Sequence, residues 1–177
     1  GIYAVDGNGR KTPWSWGNKG SKKWPGRKGW RGGRPHPFLE PARDENKEEI
    51  IKFKEGLDQL NIYLSEHQYL QFRQFFDMLE EKNKVMNLTA ITDGVEVVQK
   101  HFIDSLTIVK SHDMMEVDSV IDIGTGAGFP GIPIKIAFPH LEMILVDSQE
   151  KRVNFVNEVI DALGLTKIRC IHGRAED

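Results

Sequence analysis

Residues Val120 to Gly131 read Val-Ile-Asp-Ile-Gly-Thr-Gly-Ala-Gly-Phe-Pro-Gly, a β-branched apolar run that enters a glycine-dense turn and then a helix start. The run predicts a buried strand over Ser119 to Ile123, broken only by Asp122, with Gly124 the first residue past its carboxyl end. Ligands of open α/β sheets sit at that end of the strands. Gly124, Gly126 and Gly128 carry no Cβ, so the chain can turn tightly there and let a cofactor approach the main chain.

Two registers fit these glycines. A dinucleotide fold asks for Gly-x-Gly-x-x-Gly. Counted from Gly124 this places Phe129 at the third glycine; counted from Gly126 it fits and ends at Gly131, but begins two residues after the strand. The Asp-x-Gly-x-Gly-x-Gly spacing from Asp122 agrees better with the turn of methyltransferases that use S-adenosylmethionine. The next segment supplies a partner for either cofactor. Glu142 to Val146 predicts a second strand, and Asp147 stands at its carboxyl end about twenty residues beyond the glycines, where an acid accepts hydrogen bonds from ribose hydroxyls. NAD and S-adenosylmethionine share that ribose, so Asp147 supports an adenosine cofactor without naming it. Its other reading is a helix cap, since Asp147-Ser148-Gln149-Glu150 resembles a capping box.

The helix that follows places Val153, Val156, Ile160 and Leu163 on one face and stops at Gly164. A third strand is expected from Lys167 to Ile171. Three strands with crossover helices make half of a doubly wound sheet, so the chain reads as a fragment with an open edge and an incompletely covered face.

Upstream lies a helical region. Glu48 to Leu60 carries Ile50, Ile51, Phe53, Leu57 and Leu60. A second helix is expected to start at Ser65, where Ser-Glu-His-Gln forms a capping box, with Tyr69, Phe72, Phe76 and Leu79 as core. Asn87-Leu88-Thr89 is a turn. A third helix from about Val95 to Lys110 buries Val98, Phe102, Ile103, Leu106 and Val109. His101 and Asp104 share a face away from that stripe and read as a structural pair rather than a metal or acid–base site. No zinc spacing, Ser-His-Asp arrangement or phosphate-cradling Lys appears.

Composition divides the chain near Asn46. Residues 1–46 hold all four Trp and nine of the seventeen Gly and carry a net charge of +6; residues 47–177 carry −8, which together give −2. The first segment lacks apolar periodicity and is expected to be a disordered tail. Its Lys, Arg and Trp could neutralise phosphates and stack on bases; read-through of an assembly boundary would also produce such a stretch. The acidic remainder is unfavourable for binding RNA, unless Lys82, Lys84, Lys100, Lys135, Lys151 and Arg152 gather into one patch. Cys170 packs in a strand. No leader of signal-peptide form and no apolar run of about 20 residues appears, so a cytoplasmic protein is expected.

Taken in order, Asn87-Leu88-Thr89, His101-Phe102-Ile103-Asp104-Ser105-Leu106, the run Asp122 to Pro133, Asp147-Ser148 with Lys151-Arg152, and Arg174-Ala175-Glu176 resemble the ribosomal small-subunit methyltransferase G family, formerly called glucose-inhibited division protein B. The likeness begins near Lys47 and leaves out the tail. It implies an α/β, Rossmann-like S-adenosylmethionine-dependent methyltransferase fold, incomplete at the C-terminus, over residues 113–177. A small helical region over 47–112 and the tail over 1–46 precede it. It also implies methyl transfer to guanine N7 of 16S ribosomal RNA in the context of the small ribosomal subunit. The enzyme is expected to be a monomer that needs neither metal nor membrane. Gly124 and Phe129 would line the cofactor, and Ala175 with Glu176 would contact its adenine. Gly126 and Asp147 join them on the main-chain and ribose arguments above. No catalytic side chain is expected, because guanine N7 carries a lone pair and no proton; alignment supplies the rate. The pocket must also receive an unstacked base.

Overall fold

The structure, a computed structural model, describes residues 2–5, 11–13, 47–86, 89–90 and 93–174. The parallel core is three strands, β3 (Ser119–Ile123), β4 (Glu142–Asp147) and β5 (Ile168–His172). Ser119 lies opposite Glu142 and Met143 opposite Ile168, so all three carboxyl ends fall on one side of the sheet. Helix α5 (Gly131–Ala137) packs on β4, and α6 (Glu150–Ala162) packs on β4 and β5.

Side chains alternate across the strands as a half-covered sheet requires. Val120, Met143, Leu145 and Cys170 are buried on the face that carries the helices. Ile121, Ile123, Ile144 and Val146, on the other face, are only half-buried, and Ile171 is exposed.

The expectation of disorder over residues 1–46 fails at two short stretches. Ile2–Val5 (β1) and Lys11–Pro13 (β2) are strands, and the sheet runs β2-β1-β3-β4-β5. β1 lies antiparallel on β3 with Tyr3 opposite Ile121, and β2 lies antiparallel on β1. The physical reason is main-chain pairing. An unpaired edge of β3 offers a row of N–H and C=O groups that any extended segment can satisfy. Composition argues against a packed core in the tail but is silent on ladder hydrogen bonds. β1 thereby occupies the edge at which the strand order of doubly wound sheets reverses. The rest of residues 1–46, and with it the phosphate and base contacts considered for the tail, lies outside the described residues.

The helical region comprises α1 (Lys47–Leu60), α2 (Glu66–Met86) and a third, irregular element. The capping box at α2 is present: the Gln68 N–H donates to Ser65 Oγ at 3.3 Å, and the Ser65 N–H donates to Gln68 Oε1 at 2.7 Å. The single third helix expected from Val95 to Lys110 is instead four pieces. These are α3 (Gly94–Val97), a π-helical segment Val98–Ile103, α4 (Asp104–Leu106) and a 3₁₀ turn Thr107–Lys110. Apolar spacing cannot distinguish one inserted residue in a helix from an unbroken one, so the π segment is invisible in the sequence.

Within α2 the core ring is Phe75, which is fully buried; Phe76, chosen by spacing, is half-buried. Phe75 reaches the glycine turn. Its Cζ lies 3.6 Å from where a Cβ on Gly128 would stand, and its ring is 5.2 Å from that of Phe129. The helical region and the turn therefore share one core, with Phe53, Phe72 and Phe102 completing the aromatic cluster. Among the described residues, no helix is long and apolar enough to cross a membrane.

Candidate cofactor site

The glycine turn is built onto the end of the neighbouring strand. The N–H groups of Gly124 and Thr125 both donate to the Val146 carbonyl, at 2.8 and 3.0 Å. Those two bonds bring the next free amide, Gly126, to Asp147, whose Oδ2 accepts it at 2.9 Å. Asp147 Oδ1 accepts the Gln149 N–H at 2.9 Å. The helix α6 begins with Gln149 as its cap, so the capping-box role considered for Asp147 is not the one it fills. Asp147 ties the turn to the loop after β4 and leaves further lone pairs on both oxygens. Arg152 stands 4.0 Å from it, at the limit of an ion pair.

Gly124, Gly126 and Gly128 have φ of 80°, 61° and 97°, in the left-handed region that disfavours side chains. At Gly124 and Gly126 a built Cβ meets nothing within 4 Å, so the main chain there faces open space. Gly131 is required for another reason. A Cβ on it would stand 2.4 Å from Leu145 Cδ2 and 2.9 Å from Asp122 Oδ2, so any larger residue would have to push the buried Leu145 and Asp122 side chains aside.

Asp122 bears on the choice between the two registers. Its buried Oδ2 accepts the Gly131 N–H at 3.1 Å, and the Ile132 N–H donates to the Gly128 carbonyl at 2.7 Å. In the dinucleotide register the start of this helix would receive the pyrophosphate. Here the protein's own carboxylate has taken the first of those amides and would repel a diphosphate. Together with Asp147 it sets a field that suits a cation such as a sulfonium. Burial pushes the Asp122 carboxyl up from 3.8 to about 6, against the opposing pull of the Thr125 hydroxyl and the Gly131 N–H.

This shift makes a stability prediction. Because folding raises the pKa, the stability contributed by the neutral acid is fully present below 3.8 and is lost as the pH rises through about 6. Asp122→Asn keeps an acceptor for Gly131 but carries no charge. Relative to the parent, the variant should show no stability difference near pH ~4 and a gain of about 1–3 kcal/mol near pH ~8, read by urea unfolding. A difference that does not vary with pH would contradict it.

Of the residues singled out in the sequence, Gly124, Gly126 and Asp147 converge at one strand end. Phe129 is there through its main chain, whose N–H donates to the Thr125 carbonyl at 2.9 Å. Its ring points back into the protein and stacks on His101 at 4.6 Å. Ala175 and Glu176 lie outside the described residues. His101 is half-buried and accepts or donates at Nε2 toward Thr89 Oγ1 at 2.8 Å. Burial lowers its pKa, with Asp104 acting in the opposite direction. No sequence signal marked this contact, because it joins three separate segments.

Lys135 cannot join the cationic patch considered for RNA, and two further members are engaged in ion pairs. Lys135 is buried and donates to the carbonyls of Pro139, at 2.9 Å, and Leu141. Burial, with Lys167 adding, brings its pKa down to about 8. Lys82 pairs with Glu158 and Lys100 with Glu96. Cys170 is buried as expected, its thiol pushed up to about 12 by burial and by Asp147 and Asp122.

A family model described as "GidB: rRNA small subunit methyltransferase G" matches residues 68–177. The chain is similar to the "Ribosomal RNA small subunit methyltransferase G" of Lachnoclostridium phytofermentans, with 54% identity over 125 residues covering 71% of this chain and 52% of that protein. Relatives of the same name from Desulforamulus reducens and Thermoanaerobacter sp. are 53% and 51% identical, over 72% and 70% of this chain and 53% and 51% of theirs. The chain thus spans about half the length of the curated relatives it matches. With its glycine turn, its strand-end carboxylate and these similarities, the chain belongs to the rRNA small subunit methyltransferase G family.

Proposed function

We propose that this chain carries the cofactor-binding part of an enzyme that moves a methyl group from S-adenosylmethionine to N7 of a guanine in 16S ribosomal RNA. It would act in the cytoplasm as a monomer on the small ribosomal subunit. The observation that carries the reading is the open space at Gly124 and Gly126 beside the Asp147 carboxylate. The residues fit the group: bare main chain for close approach, a carboxylate for the ribose hydroxyls, and two acids whose field favours a positive sulfur.

Bound there, S-adenosylmethionine supplies an electrophilic methyl on that sulfur, which guanine N7 can attack with its lone pair without losing a proton. The chain's own task is then to bind and align. Both acids at the turn are engaged in holding main-chain N–H groups, Asp122 that of Gly131 and Asp147 those of Gly126 and Gln149. Neither has to move a proton for this chemistry. The balance of −8 over residues 47–177 leaves much of the RNA recognition to the rest of the enzyme or to the ribosomal context.

The test uses this chain completed by the half that its relatives carry, small ribosomal subunits and methyl-labelled S-adenosylmethionine. Label should appear in 16S RNA as 7-methylguanine. Label in protein, in another base or nowhere would overturn the reading.

A further inference from the structure

The π-helical segment buries Val98 and Phe102 in the core and carries His101 at the back of the glycine turn. Two contacts hold that side chain, and two more fasten its surroundings. The imidazole stacks on the Phe129 ring, centroids 4.6 Å apart and planes 19° apart. Its Nε2 is 2.8 Å from Thr89 Oγ1. The Thr89 N–H in turn donates to Asn83 Oδ1 at 2.8 Å, which fastens it to the last turns of α2. The carbonyl of His101 accepts the Ser105 hydroxyl as well as the Asp104 N–H.

Phe129 has its ring in this stack and its main chain in the turn. It stacks on His101, and the rings of Phe75 and Phe102 lie 5.2 and 5.9 Å away. Its N–H and that of Gly128 both close onto the Thr125 carbonyl, at 2.9 and 3.0 Å, immediately after the residues that face the open space. The glycines have no side chains with which to hold themselves, and at Gly124 and Gly126 nothing packs against the chain from the cofactor side. The bonds to Val146 and Asp147 hold the turn along its main chain, and from behind it is held through the one bulky side chain it owns, Phe129.

We infer that His101 is a positioning residue: held by Thr89, it clamps the Phe129 ring and so fixes the glycine turn in the conformation that receives the cofactor. The inference rests on the cofactor reading for its functional meaning, while the clamp itself stands on the geometry of the chain alone. A ring, rather than a hydrogen-bonding group, is what the clamp needs from position 101. Thr89 sets the ring's angle. The role goes to the helical region, which thereby becomes a part of the cofactor site without touching it.

Amide hydrogen exchange by NMR on the full chain tests the clamp directly. His101→Ala should speed exchange at Gly126, Gly128 and Phe129 about tenfold while the amides of Leu145 and Val156 keep the parent rates. His101→Phe, which keeps a ring to stack but loses the bond to Thr89, should restore most of the protection; His101→Gln, which keeps a polar end and loses the ring, should behave as alanine does. If the alanine variant does not fold, the glutamine variant is read in its place. Unchanged exchange at the turn, a uniform rise across the protein, or no rescue by phenylalanine would each overturn the inference. Calorimetry with S-adenosylmethionine adds the functional arm: affinity should fall about tenfold in His101→Ala and recover in His101→Phe. A parent chain that takes up no S-adenosylmethionine sinks the cofactor reading but leaves the exchange result standing, so the two failures are told apart.

Discussion

Asp147→Ala is expected to weaken binding of S-adenosylmethionine about 100-fold, the largest loss that any single polar substitution in this site should produce. Two charge-assisted hydrogen bonds to the ribose hydroxyls would go, each worth roughly 1.5 kcal/mol or more. The same carboxylate also accepts the N–H groups of Gly126 and Gln149, so the substitution leaves two main-chain donors without partners and loosens the turn. Asp147→Asn should fall between, because its amide keeps one acceptor for Gly126 and lacks the charge. Calorimetric titration of the three proteins, with urea unfolding as a check that β4 and α6 remain folded, reads this out. An alanine variant that binds within about threefold of the parent would show that the carboxylate does not grip the ligand.

The second large effect belongs to Gly126. Valine there has two consequences that can be separated. Its φ of 61° is strained for a β-branched residue and should cost about 1–3 kcal/mol of stability. Its side chain would also project into the space left for the cofactor, since nothing in the protein lies within 4 Å of the Cβ. Gly164 supplies the control. It too has a φ of 61° and open surroundings, but it sits just past the far end of α6, a helix of about 20 Å by its length. Gly126→Val and Gly164→Val should therefore lose similar stability, and only the former should abolish uptake of S-adenosylmethionine. Equal binding by the two variants would mean that the turn is not the cradle.

What the sequence disclosed and what it hid divide along a physical line. The strands β3, β4 and β5, the glycine turn and the acid at the end of β4 are legible because each is a local pattern: β-branched runs, missing Cβ atoms, a fixed interval to a carboxylate. The face of α6 formed by Val153, Val156, Ile160 and Leu163 is legible for the same reason, and all four are buried. Contacts between segments are not local. Nothing in the spacing of His101 announced its stack on Phe129, and Phe75, not Phe76, proved to be the ring that reaches the turn because only the packing of α2 against α5 decides between adjacent aromatics.

Main-chain pairing was hidden for another reason. The bonds of β1 to β3 need an available edge, and the β-prone run Ile-Tyr-Ala-Val stands at the head of a Gly-rich, basic segment whose average composition does not suggest a strand. Lys135 illustrates the converse. A lysine in sequence reads as a surface cation, yet here its ammonium ends among the carbonyls that close α5, and it is lost to any RNA-binding face. Asp122 was legible as an interruption of a strand and as the head of the Asp-x-Gly-x-Gly-x-Gly spacing, but not as the partner of the Gly131 N–H. Its bond to Gly131 disfavours a diphosphate at the start of α5.

The most direct measurement is a pair of calorimetric titrations of this chain, one with S-adenosylmethionine and one with NAD. A turn open at Gly124 and Gly126, an acid for the ribose and a second acid already seated at the start of α5 predict uptake of S-adenosylmethionine at least about tenfold tighter than of NAD. No heat with S-adenosylmethionine, or affinity for NAD equal to or above it, would contradict the account.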